Sequence, residues 1–266
     1  MSRTPDEIIS FCRENDVGFV KLSFCDTFGR QKNLSVMSGE LSRVFRNGIV
    51  FDGTAVKGFD DGICCDLLLH PEPDTFAILP WRPEKRKVAR MFCNVTTLNG
   101  TLHLCDTRAS LKAAAERASR LGINVSVRSG LCFATVPSDR AGAMDVSPKD
   151  GGEDIRRKIC LYLEQVGIKI GSSYHAAQRG QNVIELISLP PLEAADSVMT
   201  FSACMGASAA ENGCLAKLIH DKSTLTVKVS SSDGISCRKI TLLLSQNSNP
   251  YTLLALAVEE LLSKKA

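Results

Sequence analysis

Four histidines could serve this chain as ligands or proton carriers: His70, His103, His175 and His220. No two of them have the spacing of a metal pair such as H-x-x-x-H. His175 lies in GSSYHAAQRGQNVIEL, residues 171–186, where a glycine turn leads into an apolar alternation and the half around the histidine carries no carboxylate. A histidine without partners at ligand spacing reads as a polar core or surface residue. Cys132, in SGLCF, is a candidate nucleophile, but no histidine stands in a recognisable relation to it, so it reads as a buried thiol. The 11 cysteines form no C-x-x-C pair and read as reduced thiols used as small apolar residues, as in a cytosolic protein. Gln181 and Asn182 read as turn and strand-entry hydrogen bonders, and RPEKRK at 82–87 as a solvated loop. Asp52 precedes Gly53 in FDGTAVKGF. A turn aspartate and a functional carboxylate both remain open there.

These residues need elements to hold them. With 266 residues and 44% hydrophobic side chains, the chain can build one large domain or two modest ones. A net charge of +3 with 23% charged residues argues against nucleic acid or an anionic membrane as a partner. No apolar run approaches the length of a membrane span. The start reads as a helix rather than a signal peptide: Thr4 caps, Pro5 opens the first turn and Glu7 closes a capping box. GFVKLSFCDTFGRQKNLSVM predicts two strands joined at Thr27–Arg30, and adjacent Cys64 and Cys65 point to opposite faces if they lie in a strand. A short helix from Ser38 to Gly48 and further strands between proline breaks complete a β-rich unit that ends near NGTLHLCDTR. Beyond it come an amphipathic helix from Arg108, a strand run INVSVRSGLCFATV and an irregular polar stretch over 138–150. The next helix carries Ile155, Ile159, Leu161, Leu163 and Val166 as its apolar face. Two strands, a long helix from Pro190 and Pro191 to Asn212, and strands near Leu215, 224–230 and 238–244 follow. Asn249 and Pro250 open a final helix. The sum is an α+β chain.

Six segments, in order, resemble one family. GIVFDGTAVKGF is similar to F-D-G-S-S-I-x-G followed by an aromatic residue. CCDLLLHPEPDTFAILPW resembles S-D-M-x-L-x-P-D and its sequel, and CDTRASLKAAAERA resembles a D-P-R helix start. DVSPKDGGEDIRRKICLYLEQVGIKI and EAADSVMTF match two characteristic helices, and NSNPYTLLALA resembles N-P-Y-L-A-L-A. The chain therefore resembles the glutamine synthetase family, the ATP-dependent glutamate–ammonia ligases, over nearly its whole length. The resemblance implies an N-terminal β-grasp domain with its leading helix (1–104), then a truncated catalytic-type domain with a curved antiparallel sheet and helices (105–266). It also implies rings in which each active site lies between two subunits.

That family's reaction needs divalent ions, Mg or Mn, on hard oxygen ligands, with ATP as the phosphoryl donor. The resemblance shows where those ligands belong. The ligand strand G-P-E-x-E-F-F corresponds to VRSGLCFATV, with Gly130 and Cys132 and no acidic residue between Arg117 and Val136. H-H-E-V-A corresponds to SYHAA, putting His175 where a glutamate belongs, and G-Q-x-E corresponds to GQNV, putting Val183 at another. Glu185, two residues on, shares that strand face. N-G-S-G-M-H-x-H corresponds to DKSTLTVK, with Thr226 and Lys228 at the histidines. R-x-E-x-R corresponds to RKITL, keeping Arg238 and replacing the rest by Ile240 and Leu242. A long family segment is missing between SSSDG and ISCRK.

No catalytic, cofactor-binding or metal residues are therefore expected, and the degenerate positions are Gly130, Cys132, His175, Val183, Thr226 and Ile240. Asp52 matches an aspartate that, in the family, reaches the neighbouring subunit's site and helps hold ammonium; with Thr54 it is the expected contribution to a neighbour. The expected function is a non-catalytic glutamine-synthetase-like partner or regulator in nitrogen metabolism. It would be cytoplasmic, without a cofactor, and assembled as a homo-oligomer or with an active synthetase. The alternatives are a ligase with a rearranged site and a small-metabolite binding module.

Overall fold

The computed structural model describes residues 3–59, 66–136, 138–231, 237–244 and 248–263. The reading of Cys64 and Cys65 as strand residues lies outside them, as does most of the junction between SSSDG and ISCRK. The chain divides into two compact units, Met1–Ser110 and Leu111–Ala266.

In the first unit, α1 (Pro5–Glu14) begins as its sequence predicts. The Thr4 hydroxyl accepts from the Glu7 amide and the Glu7 carboxylate accepts from the Thr4 amide, which satisfies two orphan donors of the first turn. The strands β1 (Val17–Cys25) and β2 (Gln31–Met37) form the expected hairpin. The buried Asp26 carboxylate fixes its turn by accepting from the amides of Phe28 and Arg30. A short α2 (Leu41–Asn47) stops at Gly48, whose φ of 69° suits glycine. β3 (Ile49–Asp52), β4 (Asp66–Pro71), β5 (Ala77–Ile78) and β6 (Lys87–Thr97) complete a six-stranded sheet in the order β2-β1-β6-β4-β3, with β5 also on β6. The β1–β6 pair is parallel and the others are antiparallel. Ile8, Leu22, Phe24, Leu41, Phe59, Leu69 and Met91 form its core. The RPEKRK loop is exposed up to Arg86, and Lys87 begins β6.

α3 (Thr107–Arg120) is capped by Asp106, whose buried carboxylate accepts from the Ala109 and Val95 amides. The second unit is built on β7 (Ile123–Val136), α4 (Glu153–Gln165), β8 (Ile170–His175), β9 (Gln181–Leu186), α5 (Pro191–Glu211), β10 (Leu215–Leu218), β11 (Thr224–Ser231), β12 (Cys237–Leu243) and α6 (Pro250–Ser263). Its antiparallel sheet runs β12-β11-β7-β9-β8, with β10 also on β7. β11 and β12 pair directly, from Thr224 opposite Leu243 to Ser230 opposite Cys237. The Asn249 side chain caps α6 by accepting from the Tyr251 amide at 2.9 Å. On α4 the buried side chains are Ile155, Arg156, Ile159, Tyr162 and Leu163, and Leu161 is 49% exposed. At 100° per residue, Leu161 falls off the stripe that Ile155, Ile159 and Leu163 define. Among the described residues, no helix is long and apolar enough to cross a membrane. The architecture is α+β: a β-grasp unit, then a curled antiparallel sheet with helices.

Candidate functional site

Strand pairing sorts the candidate residues of the second unit onto two faces. Residues directly opposite each other in neighbouring strands share a face, and alternate residues along a strand switch faces. Phe133 meets Phe201 of α5 at a ring distance of 5.9 Å, so the Phe133 face is the helix-packed one. The open face therefore carries Arg128, Gly130, Cys132 and Ala134 of β7, and opposite the last three it carries Glu185, Val183 and Gln181 of β9. Ser172 and Tyr174 of β8 continue these rows. Thr224, Thr226 and Lys228 of β11 lie opposite Gly130, Arg128 and Ser126, with Thr241 of β12 beyond Thr226.

Gly130, Cys132, Val183 and Thr226 are thus brought together on one face. His175 and Ile240 are not. His175 pairs with Asn182, which pairs with Phe133, so its side chain lies on the helix-packed side and is 1% exposed. Ile240 pairs with Val227, a fully buried residue of the same packed face, and Leu242 pairs with Leu225. Motif correspondence groups the six positions without regard to face, and the strand register places these two on the packed side.

Glu185 is the one carboxylate among the described strand residues of the open face. Arg128 Nη2 lies 2.6 Å from its Oε2, and the Ser172 hydroxyl donates to the same oxygen at 2.9 Å. Arg128 is exposed and Glu185 half-buried, so this pair contributes about 1 kcal/mol or less. Cys132 is buried, its amide donates to the Ser223 hydroxyl at 3.0 Å, and burial pushes its thiol up, the opposite of what activates a nucleophile. A Cβ on Gly130 would stand 3.0 Å from the Thr224 hydroxyl, and Thr226 and Thr241 hydroxyls lie 3.3 Å apart. Mg takes six oxygen ligands, and besides water and substrate phosphates it needs one or two free protein carboxylates. Among its described strand residues this face offers one carboxylate, already held by a guanidinium, beside glycine, valine, threonine and a buried thiol. Its donor set does not fit the Mg or Mn ions that the resemblance implies.

The packed face holds what the sequence reading missed. Arg156 of α4 is buried; its guanidinium donates to both oxygens of buried Asp150 and to the Asn182 side-chain oxygen. Burial works to raise the Asp150 carboxyl, but the hydrogen bonds and charge of Arg156 outweigh it and hold the group below the usual range. Asn182 also donates to the Gly180 carbonyl at 3.4 Å, so it does bond at the strand entry, and Gln181 donates to the Gln178 side chain at 2.8 Å. His175 Nε2 lies 2.9 Å from Asp139 Oδ1. A signal for part of this was present: Arg156 sits three and seven residues before Ile159 and Leu163, on an apolar stripe where a lone arginine needs a buried acid.

In the first unit, Asp52 is exposed at the end of β3. Its Oδ1 accepts from the Thr54 hydroxyl at 2.6 Å and the Thr54 amide at 2.9 Å, and these two bonds hold its carboxyl below the usual range. Thr54 is thus a partner of Asp52 within its own turn.

The N-terminal part matches the family profile "Glutamine synthetase, beta-Grasp domain" over residues 16–98, and the remainder matches "Glutamine synthetase, catalytic domain" over residues 104–223. Glutamine synthetase of Clostridium saccharobutylicum is 36% identical over 221 residues, covering 79% of this chain and 50% of that protein. The Methanococcus maripaludis glutamine synthetase is 34% identical over 225 residues, covering 78% and 50%. Among solved structures, Plasmodium falciparum glutamine synthetase superposes with a TM-score of 0.78 at 16% identity, covering 86% of this chain and 54% of that one. A GmaS–ADP complex does so with 0.77 at 21% identity, covering 88% and 57%. The chain spans about half the length of these relatives. Two domain profiles matched in order, on a fold that superposes with glutamine synthetase, place the chain in the glutamine synthetase family.

Proposed function

We propose that this chain is a non-catalytic member of the family that acts through assembly, as a homo-oligomer or as a partner or regulator of an active glutamine synthetase. The observation that supports this reading is the open face of the second unit, where the described strand residues supply one carboxylate and that one is held by Arg128 and Ser172. Phosphoryl transfer is largely positioning and charge neutralisation by metal ions, and this face has little negative charge with which to hold them. Calorimetry with Mg-ATP, followed by phosphate release in the presence of glutamate and ammonia, tests it. The expected result is no heat of binding and no release above a protein-free control.

One observation favours a second reading, a glutamate–ammonia ligase with a rearranged site: relatives at 36% and 34% identity are named glutamine synthetase. Metal-dependent turnover by the pure chain in the same assay would establish that reading and remove the first.

The exposed Asp52 turn gives the assembly proposal a second test. In a family whose sites are shared between subunits, a chain whose open face does not fit the catalytic metal ions still has an aspartate to lend to a neighbour. The charge of Asp52 would favour ammonium and assist its deprotonation. Asp52→Asn keeps an acceptor for the Thr54 bonds and removes the charge. Mixed assemblies with an active synthetase, verified by light scattering, should form equally well with either chain. Those carrying Asp52→Asn should use ammonia about tenfold less efficiently. Equal ammonia kinetics would leave Asp52 as a turn residue, and a strict monomer that ignores the synthetase would remove the assembly proposal itself.

A further inference from the structure

Asp139, Asp150 and His175 converge on the packed side of the second unit, with one ligand atom of each lying within 4.8 Å of the others. The protonation of His175 is constrained by its neighbours. Nδ1 lies 2.7 Å from the Ala176 carbonyl oxygen. A carbonyl only accepts, so Nδ1 carries a proton and, in the neutral ring, Nε2 presents a lone pair. Nε2 faces Asp139 Oδ1, an acceptor, at 2.9 Å. A positive centre, either a proton on Nε2 or a metal ion, belongs between or beside these two atoms.

Asp139 Oδ1 is already well supplied, accepting from the Gly180 amide at 3.1 Å and the Ala141 amide at 3.3 Å. Its Oδ2 is buried and has no hydrogen-bond partner. An oxygen buried in that state costs free energy unless a cation or proton meets it. On the third ligand, Asp150 Oδ1 accepts from Arg156 and Gly152, whereas Oδ2 accepts from Arg156. A carboxylate oxygen has two lone pairs, so Oδ2 keeps one. Two carboxylates face one guanidinium here, so a second positive centre, a proton on the ring or a metal ion, balances the cluster.

We propose that Asp139, Asp150 and His175 form a binding site for a divalent transition-metal ion of the zinc class. An imidazole nitrogen with two carboxylates suits zinc and its neighbours better than magnesium or calcium. A ring N–H donated to a backbone carbonyl is the arrangement that fixes a ligating histidine with its other nitrogen bare. Ligands about 2.0–2.2 Å from a shared ion lie about 3–3.5 Å apart when adjacent. The His175–Asp139 pair is already near that separation, and a ligand atom of Asp150 lies within 4.8 Å of both. The ion would tie the irregular segment over 138–150 to the end of β8 and the start of α4. The site is independent of the open face and stands whether or not the chain is a catalyst.

The full-length chain, stripped with a chelator and dialysed, is titrated with zinc chloride by calorimetry and melted with and without the ion. The expected result is about one equivalent bound at this site and a higher melting temperature. Asp139→Asn and His175→Gln, checked for folding by circular dichroism, should each weaken the titration by about tenfold or more. If these variants fail to fold, 15N-histidine labelling of the unmutated chain gives the answer: zinc should shift the Nε2 resonance of His175, which starts as an unprotonated nitrogen. Unchanged zinc affinity in folded Asp139→Asn overturns the proposal. So does a His175 Nε2 that is protonated and indifferent to zinc, since that identifies an imidazolium–carboxylate pair.

Discussion

Replacing Arg156 by alanine should destabilise the second unit by about 3–5 kcal/mol. The guanidinium bonds Asp150 and Asn182, which are 3% and 0% exposed. Its removal leaves a buried carboxylate with the Gly152 amide, and a buried amide oxygen without its donor. Much of the cost is that uncompensated burial rather than the intrinsic strength of the pair. Arg156→Lys should recover only part of it, because one ammonium cannot reproduce the fork that engages three acceptor atoms. The three tyrosines, Tyr162, Tyr174 and Tyr251, all lie in the second unit, so near-ultraviolet dichroism during urea unfolding reports this loss. The pH dependence has a definite sign. The folded Asp150 carboxyl sits below its ordinary value of 3.8, so the unfolded chain binds the proton first. Its stabilisation is complete above that ordinary value and is lost as pH falls through the depressed one. In Arg156→Ala the bonds and charge of Arg156 are gone and burial is opposed chiefly by the Gly152 amide, so the gap between wild type and variant should narrow steadily as the solution is acidified. A gap that stays constant down to pH values where carboxylates are protonated would show that the interaction is not ionic.

Gly58→Ala should cost the first unit about 2–4 kcal/mol. Gly58 has φ of 89°, where a side chain is strained, and a Cβ there would stand 1.9 Å from the Thr27 hydroxyl oxygen and 3.1 Å from the Thr27 Cβ. The residue therefore lets the segment after Asp52 pass directly over the β1–β2 turn. The two costs separate in a double-mutant cycle. Thr27→Ala removes the hydroxyl and methyl that the new Cβ would strike, and leaves the backbone strain. Gly58→Ala should cost clearly less in that background than alone. The single tryptophan, Trp81, lies in this unit, and its fluorescence during unfolding is the readout. Equal cost in both backgrounds would assign the whole effect to φ.

The elements were legible where local chemistry decides them. Thr4, Pro5 and Glu7 mark the start of α1, and Asn249 and Pro250 that of α6, because capping uses residues three or four apart. The family motifs supplied the architecture of both units. The buried network was illegible for the converse reason. Asp139 is 36 residues from His175, in a stretch that reads as polar loop, and only the folded chain brings the two together. The face to which His175 and Ile240 belong depends on register with β9 and β11, and a one-residue difference in pairing inverts it. That Gly130 and Cys132 share a face follows from their spacing of two along β7, but that Val183 lies opposite Cys132 is given only by the register.

The position of β7 also bears on how the second unit comes into being. Its partners β9, β10 and β11 all follow it in the chain after at least one helix, and Ile123 ends up opposite Ser231. The β11–β12 and β8–β9 hairpins close short loops, so they form early and at little entropic cost. Recruitment of β7 must wait for contacts that are distant along the chain, and such closures set the pace of folding in antiparallel sheets. Until that step, β9 and β11 each present an unpaired edge and β7 stands without partners. The slowest moment in the life of this unit is therefore also the one at which another copy of the same strand could take the central place.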